Sequence, residues 1–159
     1  MPSLSEHSSS EFTKMLYIGD SGTGKTGSLV SLVKDGYRRR TLDMDNGLDS
    51  LVQYIKLECP DKINMVDYET RRDKYKASQG GPVLAGPAKA FTEALSLMTK
   101  WSDGTIPAEW GADTVFVLDS GSAFGKAAFE WAKFMNPTTK DPRQWFGTGQ
   151  KAFEDTMAL

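Results

Sequence analysis

The sequence predicts an α/β fold: a doubly wound, mainly parallel sheet with helices on both faces. Three observations carry this. Short apolar runs alternate with amphipathic helical stretches along the 159 residues, the pattern of repeated β–α–β units. Thr114-Val115-Phe116-Val117-Leu118-Asp119-Ser120 is an apolar, β-branched run of the kind that forms a central parallel strand covered on both faces. Gly19-Asp20-Ser21-Gly22-Thr23-Gly24-Lys25-Thr26 meets every fixed position of the pattern G-x-x-x-x-G-K-[ST].

The context of that third stretch fits a strand–loop–helix unit. Met15-Leu16-Tyr17-Ile18 before it reads as a short buried strand. Residues 27–34 after it read as a helix, with Leu29, Val30, Leu32 and Val33 as its apolar positions and Gly36 as its C-cap. The residue types then dictate the chemistry. Glycines let the backbone curl so that successive N–H groups, Gly27 included, turn inward around an anion, with the positive end of the helix dipole behind them. Lys25 reaches the β- and γ-phosphates of a nucleotide, and the Thr26 hydroxyl is a ligand for Mg²⁺.

One domain is the expectation for a chain of this length, with a mobile Ser-rich tail over residues 1–11 and the folded domain over 12–159. A net charge of −2 gives no global nucleic-acid signature. The single cysteine, Cys59, excludes an internal disulfide and a cysteine-based metal site. The lone histidine, His7, falls in the polar tail, away from any chemistry. No apolar run approaches the roughly 18 residues of a membrane span, so no membrane partner is expected and a soluble cytoplasmic protein is the simplest reading.

Further along, residues 39–44 read as the second strand. The arginines Arg38, Arg39 and Arg40 at its start are either a solvated strand entry or a nucleic-acid contact. Asn46-Gly47 is a turn, and residues 48–57 form a helix on Leu48, Leu51, Val52 and Ile55, ended by Pro60. Residues 63–68 are a third strand. Residues 69–87 read as a helical turn and then an exposed Gly/Pro loop. Residues 88–101 form a helix whose stripe of Phe91, Ala94, Leu95, Met98 and Trp101 is core. Residues 124–135 form another, with Phe124, Ala127, Ala128, Trp131 and Phe134 inward. A last helix runs from about residue 144 to the end.

Hydrolysis asks for carboxylates beside the phosphates. Asp119 ends an apolar strand, where parallel sheets place their ligands, and reads as the Mg²⁺-holding aspartate of a Walker-B strand; the other reading is a cap for the next helix. Asp43 and Asp45 close the second strand, and one of the two is expected to face the site. Asp45 is the choice for general base. Asp43 or Asp49 in that role, or all three as turn and capping residues, stay open.

These motifs, in this order, resemble the RecA-like P-loop ATPases, and most of all the phage-encoded ATPases of single-strand annealing and recombination. The resemblance rests on residues 19–26, on Leu42-Asp43-Met44-Asp45-Asn46-Gly47-Leu48-Asp49, on Val115–Ser120 and on Asp141-Pro142-Arg143-Gln144-Trp145-Phe146-Gly147. It implies ATP and Mg²⁺ as cofactors, Asp45 and Lys25 as catalytic residues, single-stranded DNA as a partner, a homo-oligomeric ring or filament, and the host-cell cytoplasm as the setting. The family usually has Glu where Asp45 stands, one methylene longer. The family also carries a further strand after the Walker-B helix, and no strand-like run follows Asp119 here, so the chain is read as truncated at its carboxyl end. Two other functions share the P-loop: a nucleotide or small-molecule kinase, with Arg71, Arg72 and Arg143 as candidate lid residues, and a module that binds nucleotide without turnover.

Overall fold

The computed structural model describes residues 14–20 and 22–158; the expected tail over residues 1–11 lies outside them. In chain order the elements are Lys25–Ser28 (α1), Val30–Lys34 (α2), Arg38–Asp43 (β1), Asp49–Glu58 (α3), Val66–Thr70 (β2), Tyr75–Lys76 (β3), Val83–Leu84 (β4), Ala90–Thr99 (α4), Thr114–Asp119 (β5), Gly121–Met135 (α5) and Pro142–Met157 (α6). The chain is α/β, with a three-stranded parallel sheet in the order β2-β1-β5.

The central strand is the charged one. β1 pairs on both sides, Arg39 opposite Val66 and Val115, and Asp43 opposite Thr70 and Asp119. It is buried from Arg39 to Asp43. The apolar run at 114–119, expected at the centre and covered on both faces, pairs only with β1 among the described residues and is only half-buried. Arg39 and Arg40, read as a solvated strand entry or a nucleic-acid contact, are 1% and 8% exposed. Partners correct both expectations. Arg40 donates to Asp103 Oδ2 at 2.8 Å and to Thr105 Oγ1 at 2.9 Å, and its guanidinium lies 4.4 Å over the Trp110 ring. Asp103, held below the ordinary carboxylate range by Thr105 first and then by Arg40, also accepts the Thr105 N–H at 2.9 Å and so shapes its own loop.

Side chains alternate across a strand, so β1 sends Arg39, Thr41 and Asp43 to one face and Arg40 and Leu42 to the other. Each face has its own apolar cluster. Val30, Val33, Leu51, Ile55 and Cys59 bury α2 and α3 against the face of Val66, and Leu42 joins Phe91, Ala94, Leu97, Trp101, Phe124 and Ala128 beneath α4 and α5. Phe91 stacks tilted on Phe124 at 5.1 Å and on Trp131 at 5.3 Å, geometry worth about 0.5–1.5 kcal/mol per pair beyond the area buried.

Local signals end the helices. Gly36 takes φ 98°, and the N–H groups of Gly36 and Tyr37 close on the carbonyls of Val33 and Leu32, a Schellman cap for α2. The Ser120 hydroxyl accepts the Ala123 N–H to start α5. Asp141 accepts the Arg143 N–H to start α6, with Pro142 in the first turn, two residues ahead of the start expected from sequence.

Four local expectations change. Met15–Ile18 is not a strand: Met15, Leu16 and Ile18 are 63%, 83% and 86% exposed. A strand is held by a neighbour's backbone groups, and among the described residues nothing pairs with this segment. Residues 63–65 belong to a 3₁₀ turn, Pro60–Met65, because Pro60 opens a new turn where α3 stops; β2 therefore starts at Val66. Residues 69–87 hold no helical turn; β2 runs to Thr70 and the antiparallel pair β3–β4 follows. Phe134 is half exposed, at the edge of the buried stripe in the last turn of α5.

The α5–α6 contact is close. A Cβ on Gly149 would stand 2.9 Å from Phe129 Cα, whereas a Cβ on Gly147, two residues earlier and on another face of α6, meets nothing within 4 Å. Gly149→Ala should therefore destabilise the fold by about 1–3 kcal/mol through overpacking. Gly147→Ala should be neutral or stabilising by up to about 1 kcal/mol through helix propensity. Denaturant titration of the two variants beside the wild type measures both; equal effects would refute the close packing.

Candidate functional site

Both β1 and β5 end on an aspartate, and the register sets Asp43 beside Asp119 at the carboxyl edge of the sheet. Alternation puts both carboxylates on the face that carries α1–α3. The glycine loop meets them there. Thr26, in the first turn of α1, donates its Oγ1 hydroxyl to Asp119 Oδ2 at 2.9 Å across 93 residues of sequence. Folding thus joins the two residues that the sequence assigns to a metal.

The loop itself is built by residue type. Gly22 and Gly24 sit at φ 80° and 81°, where a side chain is strained. The Thr23 hydroxyl donates to the Asp20 carbonyl at 2.9 Å. The Lys25 ammonium donates to the carbonyls of Gly19 and Asp20, both at 2.7 Å, and so lies within the curl of the loop. A Cβ on Gly19 would stand 2.8 Å from Thr23 Oγ1. Ser21 lies outside the described residues. Gly27, expected among the anion-binding residues, also has a packing role: a Cβ there would stand 2.7 Å from the Tyr54 ring of α3.

The Thr26 hydroxyl and the Asp119 carboxylate are hard oxygen donors, which suits Mg²⁺. That ion is held through one or two carboxylates plus phosphate oxygens and water rather than by an all-protein cage. Among the described residues no group of three or more His, Cys, Asp or Glu gathers. The capping alternative for Asp119 goes to its neighbour, since Ser120 caps α5.

The three aspartates after β1 separate by their bonds. Asp43 is 1% exposed; its Oδ1 accepts the N–H groups of Asn46 and Gly47 at 2.7 and 3.3 Å, and its Oδ2 accepts the Thr70 hydroxyl at 2.8 Å. It is a turn-former. Asn46, at φ 64°, takes the left-handed conformation this clamp requires. Asp49 opens α3, where a negative charge suits the helix dipole. Asp45 lies between them, exposed, with no side-chain hydrogen bond among the described residues. Asp49 is likewise exposed and without a side-chain hydrogen bond among the described residues, so the bonds set Asp43 apart and leave both Asp45 and Asp49 open to a ligand.

Arg39 belongs to the site although the sequence pattern did not place it there. Its Nε donates to Thr41 Oγ1 at 2.9 Å and its Nη1 to the Thr26 carbonyl at 3.2 Å. Burial pulls the guanidinium down to about 10, and the Asp119 charge pulls it the other way. The signal available in the sequence was the odd position of Arg39, on the same strand face as Thr41 and Asp43. The candidate lid arginines are engaged elsewhere: Arg71 pairs with Glu69 at 2.9 Å, and Arg143 with Asp141 at 3.0 Å, while Arg72 is exposed. Two open clefts of about 450 Å³ lie apart from the loop. One is at the amino ends of β1 and β2, beside Arg38, Tyr68 and Trp101, and the other is between α5 and α6.

Comparison of the chain with protein-family models, with curated proteins and with solved structures found no match.

The bond pattern separates Asp43 from Asp45 experimentally. Asp43→Ala leaves two backbone N–H groups and a hydroxyl without their acceptor and should cost about 1–3 kcal/mol of stability. Asp45→Ala should stay within about 0.5 kcal/mol of wild type, as exposed substitutions do. Thermal and urea melts of the pair check this; a stable Asp43→Ala variant would remove Asp43 from its structural role.

Proposed function

We propose that this chain is an ATP- and Mg²⁺-binding P-loop ATPase of RecA-like type, serving phage DNA recombination or repair on single-stranded DNA. The observation that carries the nucleotide reading is the Thr26–Asp119 hydrogen bond. A glycine loop with its Lys25-Thr26 pair is brought by folding to an aspartate at the carboxyl end of a parallel strand. That is where α/β sheets bind their ligands. The DNA substrate, the oligomeric ring or filament and the host-cell cytoplasm rest on the resemblance of residues 19–26, 42–49, 115–120 and 141–147 to the phage recombination ATPases.

In this reading the loop N–H groups and Lys25 hold the triphosphate. Lys25 exchanges its bonds to the Gly19 and Asp20 carbonyls for phosphate oxygens. Thr26 and Asp119 would hold Mg²⁺, which supplies neutralisation of phosphate charge. Asp45 orients the attacking water and takes its proton. A second reading, nucleotide binding without turnover, is favoured by one observation: no bond among the described residues fixes the Asp45 carboxylate. The ratio of turnover to affinity distinguishes the two.

Lys25→Ala should weaken binding of a fluorescent ATP analogue by roughly 2 kcal/mol or more, the scale of a charge-assisted contact. Unchanged affinity in a folded variant would sink the P-loop assignment. Asp119→Asn should flatten the Mg²⁺ dependence of that binding. Asp45→Asn should leave Mg·ATP affinity nearly intact and slow phosphate release, since a water-activating group acts in the transition state. Wild-type hydrolysis by Asp45→Asn would move the base to another residue.

A further inference from the structure

We propose that Arg39 is the built-in counter-ion of the Thr26–Asp119 pair, a positioning residue whose fixed charge holds the pair closed and keeps a divalent cation from settling there alone. The proposal rests on the reading of Thr26 and Asp119 as metal donors. Its grounds are geometric. Arg39 is 1% exposed and sits in register between Val66 and Val115. An apolar side chain would fill that place without the desolvation that a buried charge suffers. Arg39 instead grips the Thr26 carbonyl through Nη1, while the hydroxyl of the same Thr26 reaches Asp119. Its Nε is anchored on Thr41, and its Nη2 is buried with no partner among the described residues. One cation is thus tied to the strand below and the loop above; it makes no ion pair with Asp119 within 4 Å and acts on that carboxylate through its field and through Thr26.

The consequence is a choice between cations. In a partly buried site, a fixed positive charge repels a second, divalent one far more strongly than it would in water. A metal arriving with a polyphosphate brings its own negative charge and escapes that repulsion. Arg39 therefore makes metal occupancy depend on nucleotide.

The test uses Mn²⁺ alone as the probe, followed by electron paramagnetic resonance on the full chain without nucleotide. Circular dichroism melts monitor folding. Arg39→Gln should bind Mn²⁺ at least about tenfold more tightly than wild type, because the repelling charge is gone. Arg39→Lys, which keeps the charge, should stay within about threefold of wild type. The gain in Arg39→Gln should vanish when Asp119→Asn is added. A purely structural role would weaken the site in both single variants. Mn²⁺ affinity in folded Arg39→Gln no higher than wild type overturns the proposal, as does a gain that survives Asp119→Asn. If Arg39→Gln does not fold, the Arg39→Gln/Asp119→Asn double variant decides. Recovery of a folded chain supports charge pairing, and failure makes Arg39 a packing element and overturns the proposal. Since no nucleotide is present, the result is independent of the Lys25→Ala titration.

Discussion

Burying Arg39 and Arg40 in the central strand removes two charges from water, and each such transfer costs several kcal/mol unless the charge is met. The surrounding elements meet Arg40 with a carboxylate and Arg39 with neutral oxygens alone. On one face, the loop after α4 brings Asp103 and Thr105 to the Arg40 guanidinium, and Trp110 covers it; Trp110 is itself tied to Thr105 through its indole N–H at 2.8 Å. On the other face, Thr41 and the Thr26 carbonyl take the Arg39 fork. A polar ladder of Arg39, Thr41 and Asp43 thus lies beneath the start of α1, flanked by the apolar packing of α2 and α3. Were either arginine left without its partners, the buried charge would oppose the fold.

The same ladder sets the geometry of the site. Asp43 spends both carboxylate oxygens on the Asn46–Gly47 turn and on Thr70, so the chain leaves β1 along one path and presents Asp45 outward. The Met44 N–H donates to the Asp119 carbonyl at 2.6 Å, which locks the ends of β1 and β5 together. Thr26 then has a fixed carboxylate to reach. The loop that contains it needs Gly22 and Gly24 in left-handed conformations and Gly27 bare against Tyr54. The candidate chemistry therefore depends on strand ends that are rigid and on a loop whose shape is set by glycines.

Apolar periodicity gave α3, α4 and α5 from residue types alone, within a few positions, because an amphipathic stripe states which side of a helix is buried. The glycine loop and Asp119 were legible for a related reason: their chemistry is local to a short pattern and to the end of an apolar strand. The hairpin of β3 and β4 was not, since strands of two residues each are defined by their pairing rather than by any run of their own.

What the sequence by itself determined is the α/β class, the helices α3 to α6 and the identity of the residues that gather at the carboxyl edge of the sheet; the one helix read over residues 27–34 is two, α1 and α2, broken at Leu29. Tertiary structure alone decided which strand is central. Hydropathy favoured the run at 114–119, yet the three-arginine strand holds that place and Met15–Ile18 stands exposed. The physical reason is that hydropathy scores a side chain against water, whereas burial depends on the partners that replace water. Those of Arg39 and Arg40 come from residues 26, 41, 103, 105 and 110, distant in sequence except for one. Only the folded chain brings them together.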